Sequence, residues 1–222
     1  MASSTVENYL KHLLLAEEGA AGGLVPMGAL AGALAVVPGT VTTMVKALAD
    51  DGLVEHRPRH GVRLTAEGRR VALNVLRKHR LVETFLVKVL KMDWAEVHVE
   101  AEQLEHALSD NVLDRLDALL GRPETDPHGD PIPSAQGRLS AEVHATLASC
   151  ATGRPLRVVR VTEQSKEFLH FVDASGLAPG ATVRVTERNL AAGLVTVKKS
   201  AGRPLALSQT AAVKILVAPA RG

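Results

Sequence analysis

Three observations in the 222-residue chain predict its fold class: mainly α in the N-terminal part, with a winged helix-turn-helix, then a helical domain, then a small all-β barrel. Short helical periods broken by glycine and proline run to about residue 50 and lead into a hairpin with a basic tip. Longer helical periods follow. From Thr152-Gly153 onward the pattern becomes short β segments separated by Gly/Pro turns, the pattern of a small barrel. The expected boundaries are 1–65 for the winged helix, 66–140 for the helical domain, 141–153 for a linker and 154–222 for the barrel.

Each element has its own warrant. Residues 6–17 carry apolar side chains at Val6, Tyr9, Leu10, Leu13 and Leu14, one face of a helix. Residues 27–35 make a short helix and Val36-Val37 a turn. Pro38 suits a first helical turn, where its missing N–H has no intrahelical partner, and 39–49 continues the helix until Asp51-Gly52. Segments 53–56 and 62–65 flank a tight turn over 58–61, which reads as the hairpin wing. Residues 67–90 and 94–108 read as amphipathic helices, and 111–120 as a third, stopped by Gly121 and Pro123. The stretch 125–136, rich in Pro, Gly and Asp, reads as a loop. The β segments are 156–161, 168–172, 182–186, 194–197 and 213–217, with turns at Gly176, Pro179, Gly180 and Gly202.

Composition removes several classes of function. Hydrophobic residues are 46% and charged residues 23%, ordinary globular values, while aromatics at 2% argue against base-stacking single-strand binders. The one cysteine, Cys150, forms no internal disulfide and no thiolate zinc cage by itself, and a reducing cytoplasm is the expected compartment. Residues 19–45 hold no charge, but glycines, Pro26 and Pro38 break the run and alanine dominates it, so no membrane span is expected. No HExxH, GxSxG, phosphate-loop or dinucleotide fingerprint occurs, and Glu102 stands where an inverted zinc-protease motif ending at Glu105-His106 needs histidine. The chain is therefore expected not to be an enzyme and to have no small-molecule substrate.

Charge is unevenly laid out. Between Arg57 and Arg80 there are eight Lys/Arg and one acid, whereas Asp93 to Asp130 holds eleven Asp/Glu and two bases. Such blocks suit a surface facing a polyanion and a cation-binding or solvated acidic surface. In the acidic block His98, Glu102, Glu105 and His106 fall on one predicted helix at spacings that share a face, and His79 and Glu83 form an i, i+4 pair on the helix before it. Imidazole and carboxylate without thiolate suit Mn²⁺, Fe²⁺, Co²⁺ or Zn²⁺; the alternative is a helix surface of ordinary salt bridges. On the helix from Pro38, Gly39, Thr40, Thr42 and Thr43 are small enough to approach base edges in a major groove, with Lys46 on a phosphate. Arg57, Arg59 and His60 of the wing can follow the backbone or enter the minor groove. Against this, lone threonines also cap helices, and some winged helices bind proteins.

Taken with these features, the sequence resembles the DtxR/MntR family of metal-dependent transcriptional repressors. The resemblance runs through Val6-Glu7-Asn8-Tyr9-Leu10, Val41-Thr42-Thr43-Met44-Val45, Leu64-Thr65 with Gly68, Arg77-Lys78-His79-Arg80-Leu81, Glu105-His106 with Ser109-Asp110, and His128-Gly129-Asp130-Pro131-Ile132-Pro133. Gly176-Leu177-Ala178-Pro179-Gly180 is similar to a turn of the SH3-like, FeoA-type domain of the long members.

The resemblance implies a homodimer, held through the helical domain, that sets two recognition helices on a palindromic operator in double-stranded DNA. It implies a primary metal site of Asn8, Glu102, Glu105 and His106, and a second of His79, Glu83 and His98, to which the SH3-like domain would add Gln164 and Glu167. Family members that sense iron often have Met at the place of Asn8 and Cys at the place of Glu102, while manganese members often have Asp at the former. Lys11 stands where some manganese members have a further carboxylate, which speaks against a close pair of metals there. Carboxylate in place of thiolate favours a harder ion, so Mn²⁺ is the expected cofactor, Fe²⁺ the alternative, with Co²⁺, Zn²⁺ or Cd²⁺ able to substitute in vitro. A metal-binding interaction or transport-accessory module is the reading from another class, suggested by the FeoA-type domain.

Overall fold

A computed structural model of the chain describes residues 3–17, 19–20, 23–140, 142–199 and 202–220. Two residues of the uncharged run, 21 and 22, and the first residue of the expected linker, 141, lie outside them. The described chain forms two compact units, one of 1–79, 102–113 and 133–139, the other of 80–101, 114–132 and 140–222.

The first unit is the winged helix. Helix α1 (Ser4–Glu17) buries Tyr9, Leu10, Leu13 and Leu14, the stripe its period predicts, and Lys11 with them. Helices α2 (Met27–Ala33) and α3 (Pro38–Asp50) follow, bent by 106° across 34–37. That bend divides the uncharged run, and no single helix among the described residues is long and apolar enough to cross a membrane. Val41, Val45 and Leu48, spaced by four and three, seat α3 on the core, leaving its opposite face outward. The wing pairs β1 (Val54–Arg57) with β2 (Gly61–Leu64) antiparallel, from Val54 opposite Leu64 to Arg57 opposite Gly61. Val25 adds a bridge to Val62 through two backbone hydrogen bonds of 2.8 and 2.9 Å. Gly61 is required there: its φ is +132°, and a Cβ would lie 2.5 Å from the Val25 oxygen.

Helix α4 (Ala66–Lys88) is the long helix expected after the wing. Helix α5 (Val97–Leu104) is shorter than 94–108, and α6 runs Asp110–Leu119. Consequently Glu105 and His106 do not sit on the helix with His98 and Glu102, as the spacing suggested. They lie in the turn after it, which must close quickly because Ser109-Asp110 already opens α6.

The second unit holds a six-stranded antiparallel sheet in the order β3-β8-β4-β5-β6-β7. Its strands are β3 (Ala145–Thr146), β4 (Leu156–Val161), β5 (Thr182–Asn189), β6 (Leu194–Lys199), β7 (Leu205–Ser208) and β8 (Ile215–Pro219). Val158, Val183, Val185, Val195, Val197 and Ile215 fill its core. The C-terminal all-β architecture is as expected, with corrections. The sheet is open rather than closed into a barrel: among the described residues β3 and β7 are its ends and pair only inward. Residues 168–172 are not a strand but part of helix α7 (Lys166–Ala174), with Ser165 at its N-cap, Glu167 in its first turn, and Leu169 and Val172, three apart, turned to the core. Within the stretch 141–153, expected as a linker, β3 pairs with β8, and Leu147 and Cys150 are buried in the sheet core. A short helix, α8 (Gln209–Ala212), precedes β8.

Candidate metal centre and nucleic-acid interface

The first cluster lies wholly in the winged-helix unit. Glu105, fully buried, faces Lys11, His79 and His106. The Lys11 ammonium, 2% exposed, donates to Glu102 Oε1 at 2.6 Å and to Glu105 Oε1 at 2.7 Å. His79 Nδ1 lies 2.6 Å from Glu105 Oε2 and 3.7 Å from Glu102 Oε1, so ligand atoms of His79, Glu102 and Glu105 all fall within 4.8 Å of one another. His106 Nδ1 meets Glu7 Oε2 at 2.5 Å, and its Nε2 is 3.4 Å from Glu105 Oε1. His106 Nε2 is buried without a hydrogen-bond partner, and so is Oδ1 of Asn8, the residue after Glu7 on α1. Both have a lone pair to give, and a buried acceptor without a donor is costly, by about 1–3 kcal/mol. Three carboxylates and two imidazoles form a donor set that a divalent cation satisfies and that neutral packing does not, and the Asn8 amide oxygen is a hard donor on the adjoining turn of α1.

Of the expected primary residues, Glu102, Glu105 and His106 are joined by these contacts, and Asn8 follows Glu7, the partner of His106, on α1. His79, assigned by resemblance to the second site, also contacts Glu102 and Glu105 of the first, while its own ligand atom and those of Glu83 and His98 lie within 4.8 Å of one another. Glu7 was not foreseen; its only signal is its place beside Asn8 on a helix face.

The second cluster belongs to the other unit. Glu83, Asp126 and His128, all buried, bring one ligand atom each within 4.8 Å of the others. His128 Nδ1 is 3.7 Å from Glu83 Oε2 and 4.0 Å from Asp126 Oδ1, with no hydrogen-bond partner of its own. Its Nε2 lies 2.9 Å from the Trp94 carbonyl oxygen, and the two rings stack with centroids 5.4 Å apart. Asp126 Oδ1 accepts the backbone N–H groups of His128 and Asp130 at 2.8 and 2.9 Å, which fixes the loop's turn. Gly129 holds that loop on β4: its φ is +89° and a Cβ would lie 1.9 Å from the Val159 oxygen. Burial first, then the neighbouring charges of Asp130 and Glu83, pushes the Asp126 carboxyl up to about 7. Burial alone would lower His128, but Glu83 and Asp126 outweigh it and its pKa is raised.

Three further residues were expected as ligands: His98, Gln164 and Glu167. His98 Nδ1 is 3.3 Å from Glu83 Oε1 with its side chain half exposed, at the edge of this cluster. Gln164 donates to Asp130 Oδ2 at 2.8 Å, and Arg160 shares that carboxylate at 2.5 Å. Glu167 is exposed on the first turn of α7. Asp126 and His128 were not expected as candidate ligands although the sequence signal was present: a histidine between two aspartates in a Pro/Gly-rich loop, legible as a motif but without an assigned role.

On the outer face of α3, Gly39, Thr40, Thr43 and Lys46 are exposed and Thr42 is half-buried. Thr42 and Thr43 donate their hydroxyls to the Pro38 and Gly39 carbonyls at 3.0 and 3.2 Å, which fixes their rotamers. Arg57, Arg59 and His60 are exposed at the wing tip, where Arg59 takes a φ of +67° to turn the hairpin. Arg63 and Glu55 pair across the wing at 2.6 Å, leaving the tip as its basic end.

Three family models match in succession: the iron dependent repressor N-terminal DNA binding domain over 1–62, the iron dependent repressor metal binding and dimerisation domain over 65–134, and the FeoA domain over 145–219. The iron-dependent repressor IdeR of Mycobacterium leprae is 34% identical over 194 residues, covering 82% of this chain and 83% of its own. The diphtheria toxin repressor of Corynebacterium diphtheriae is 32% identical over 197 residues, covering 83% and 85%. Among solved structures, a manganese-dependent transcriptional repressor in complex with manganese superposes with a TM-score of 0.86 at 37% identity, covering 97% of this chain and 100% of that one. The ScaR structure with bound Zn²⁺ gives 0.77 at 33% identity, covering 97% and 99%. With both repressor models and the FeoA model matched in order, the chain belongs to the DtxR/MntR family of metal-dependent transcriptional repressors.

Proposed function

We propose that this repressor is activated by Mn²⁺ and binds a palindromic operator as a homodimer, through α3 in the major groove and the wing along the backbone. The observation that carries the metal assignment is the donor set: both clusters offer only carboxylate, amide and imidazole groups, with Glu102 where a thiolate would favour a softer ion. The sole sulfhydryl, Cys150, is buried against the Leu147 carbonyl and Arg188. Asn8, Glu102, Glu105 and His106, with His79, would hold the ion in the first cluster, and Glu83, Asp126 and His128 in the second. A bound divalent cation supplies positive charge to carboxylates that otherwise repel one another.

The residues themselves transmit the effect. Asn8 and Glu7 lie on α1, and α1 packs through Leu10, Leu13 and Leu14 into the core that seats α3 by Val41 and Val45. Fixing α1 against the turn of Glu105 and His106 thus fixes the recognition helix. In a dimer this presents two α3 helices at one spacing, about one DNA turn of ~34 Å or a multiple apart.

The direct test is retention of genomic DNA fragments at fixed salt with chelator, with Mn²⁺ and with anaerobic Fe²⁺. Selective retention of a few palindromic fragments, with Mn²⁺ more effective than Fe²⁺ at equal free ion, is expected. Stronger retention with Fe²⁺ would assign iron, and retention indifferent to metal would end the metal-dependent reading. Iron is the alternative that relatives named iron-dependent repressors support.

A further inference from the structure

We infer that Lys11 is a resident cation of the first cluster, so that the centre is built for one divalent ion beside a tethered ammonium. The inference rests on the metal-dependent reading above and specifies how that site is filled. Lys11 is among the most deeply buried side chains of the protein, although lysine is almost never fully buried without a partner. Its ammonium bridges Glu102 and Glu105 at 2.6 and 2.7 Å, and those carboxylates, with His79, form the compact triad of ligand atoms in this unit. A position that a divalent ion could take is therefore already held by a positive charge carried on α1.

What the ammonium leaves over is equally specific. His106 Nε2 is a buried atom of the cluster without a hydrogen-bond partner, as is Oδ1 of Asn8, the residue after Glu7 on α1, and Lys11 satisfies neither. A metal that meets His106 Nε2 would share Glu105 Oε1, 3.4 Å from it, with the ammonium that already donates to that oxygen. Because Lys11 is on α1, the ammonium also tethers that helix to Glu102 near the end of α5 and to Glu105 in the turn after it, through two charge-assisted hydrogen bonds formed before any ion binds. The incoming ion then completes an arrangement that is already partly neutralised, and it does so against the field of a neighbouring positive charge.

The test is a count of bound Mn²⁺ by equilibrium dialysis, with electron paramagnetic resonance of the loaded protein, in a Glu83→Gln, Asp126→Asn background that strips charge from the second cluster. With Lys11 present, one Mn²⁺ per subunit and the signal of an isolated ion are expected. Lys11→Met, which keeps the bulk and removes the charge, should bind Mn²⁺ at least about tenfold more tightly. Lys11→Glu should take a second ion and show the altered signal of spin-coupled neighbours. If a variant does not fold in that background, by circular dichroism, the contrast is read in the otherwise unaltered chain as two ions against three. Two coupled ions with Lys11 in place, or an affinity indifferent to Lys11→Met, would overturn the inference while leaving the metal-dependent reading intact. No Mn²⁺ on any of the proteins would instead overturn that reading, and this inference with it.

Discussion

At His128 a hydrogen bond selects the tautomer: Nε2 faces the Trp94 carbonyl oxygen, which can only accept, so Nε2 carries the proton and Nδ1 presents its lone pair to Glu83 and Asp126. Without a cation, that lone pair and two carboxylates meet inside the protein, and a proton is the cheapest relief. This is why the Asp126 carboxyl is pushed up to about 7 and His128 is raised. The sign for stability follows. A group that holds its proton to higher pH in the folded than in the unfolded state loses stability as pH rises between its two values. In chelator, Asp126 should therefore destabilise the second unit progressively from about pH 4 to about pH 7, and His128 should continue the fall above its own unperturbed value. Asp126→Asn keeps the oxygen that accepts the His128 and Asp130 N–H groups but removes the charge. The melting temperature of the wild-type chain relative to this variant should decline from pH 5 to pH 8 without metal. A difference that stays level, or rises, would show that the buried charge is not borne there. A divalent cation held by the same donors would compete with the proton, so on the proposed reading Mn²⁺ binding to this cluster should strengthen over the same interval.

Elements differ in how plainly the sequence announces them, and the difference is physical. Helices α1 and α3 were legible because each buries one stripe at helical period, α4 because its apolar residues recur at that period although 75–84 are buried all round, and the wing because a Pro-to-Gly turn separates two short runs. Helix α7 was not, since Phe168-Leu169-His170-Phe171-Val172 is an apolar run dense enough to pass for a strand, and only Ser165 and Glu167 before it mark a helix start. The candidate ligands show the same limit. Glu102, Glu105 and His106 were legible as types in proximity, but the spacing argument assumed one helix, whereas α5 stops at Leu104 and the turn brings Glu105 to Lys11 and His79. Partners across nearly a hundred residues, such as Lys11 with Glu105, are products of tertiary packing that no local period encodes. At this scale the wing and the recognition helix should separate experimentally. Arg59→Gln removes one exposed cation from the wing tip, so it should weaken binding evenly across operator sequences and reduce the slope of log affinity against log salt by about 0.9. Thr43→Ala on α3 should weaken operator binding while leaving competitor DNA and the salt slope unchanged. A sequence-selective effect of Arg59→Gln would place the wing in base readout instead.

Across the whole molecule, the near balance of charge, +2, conceals a division of labour. Basic side chains gather in the wing and early α4, and acidic ones where the two ligand clusters form. The first cluster joins residues 7–11 to residues 79 and 102–106, so it ties the N-terminal helix of the DNA-binding domain to the turn after α5. The second lies in the other unit and shares no residue with α1. If Mn²⁺ acts by fixing α1, coupling between metal and operator should run through the first cluster, and thermodynamic linkage makes that coupling reciprocal. A thousandfold gain in operator affinity with Mn²⁺ corresponds to ~4 kcal/mol, and operator DNA must then raise Mn²⁺ affinity by the same factor. Glu105→Gln keeps the volume of a fully buried residue and removes the charge that holds Lys11 and His79. It should bring both factors down together toward unity, with the dimer retained by sedimentation. Glu83→Gln in the second cluster should lower Mn²⁺ stoichiometry but leave most of the coupling in place. Paired titrations of metal with and without operator, and of operator with and without metal, measure both. Should Glu105→Gln keep more than about a tenth of the wild-type factor while Glu83→Gln loses it, the device that transmits metal to DNA lies in the second cluster, and α1 is not its moving part.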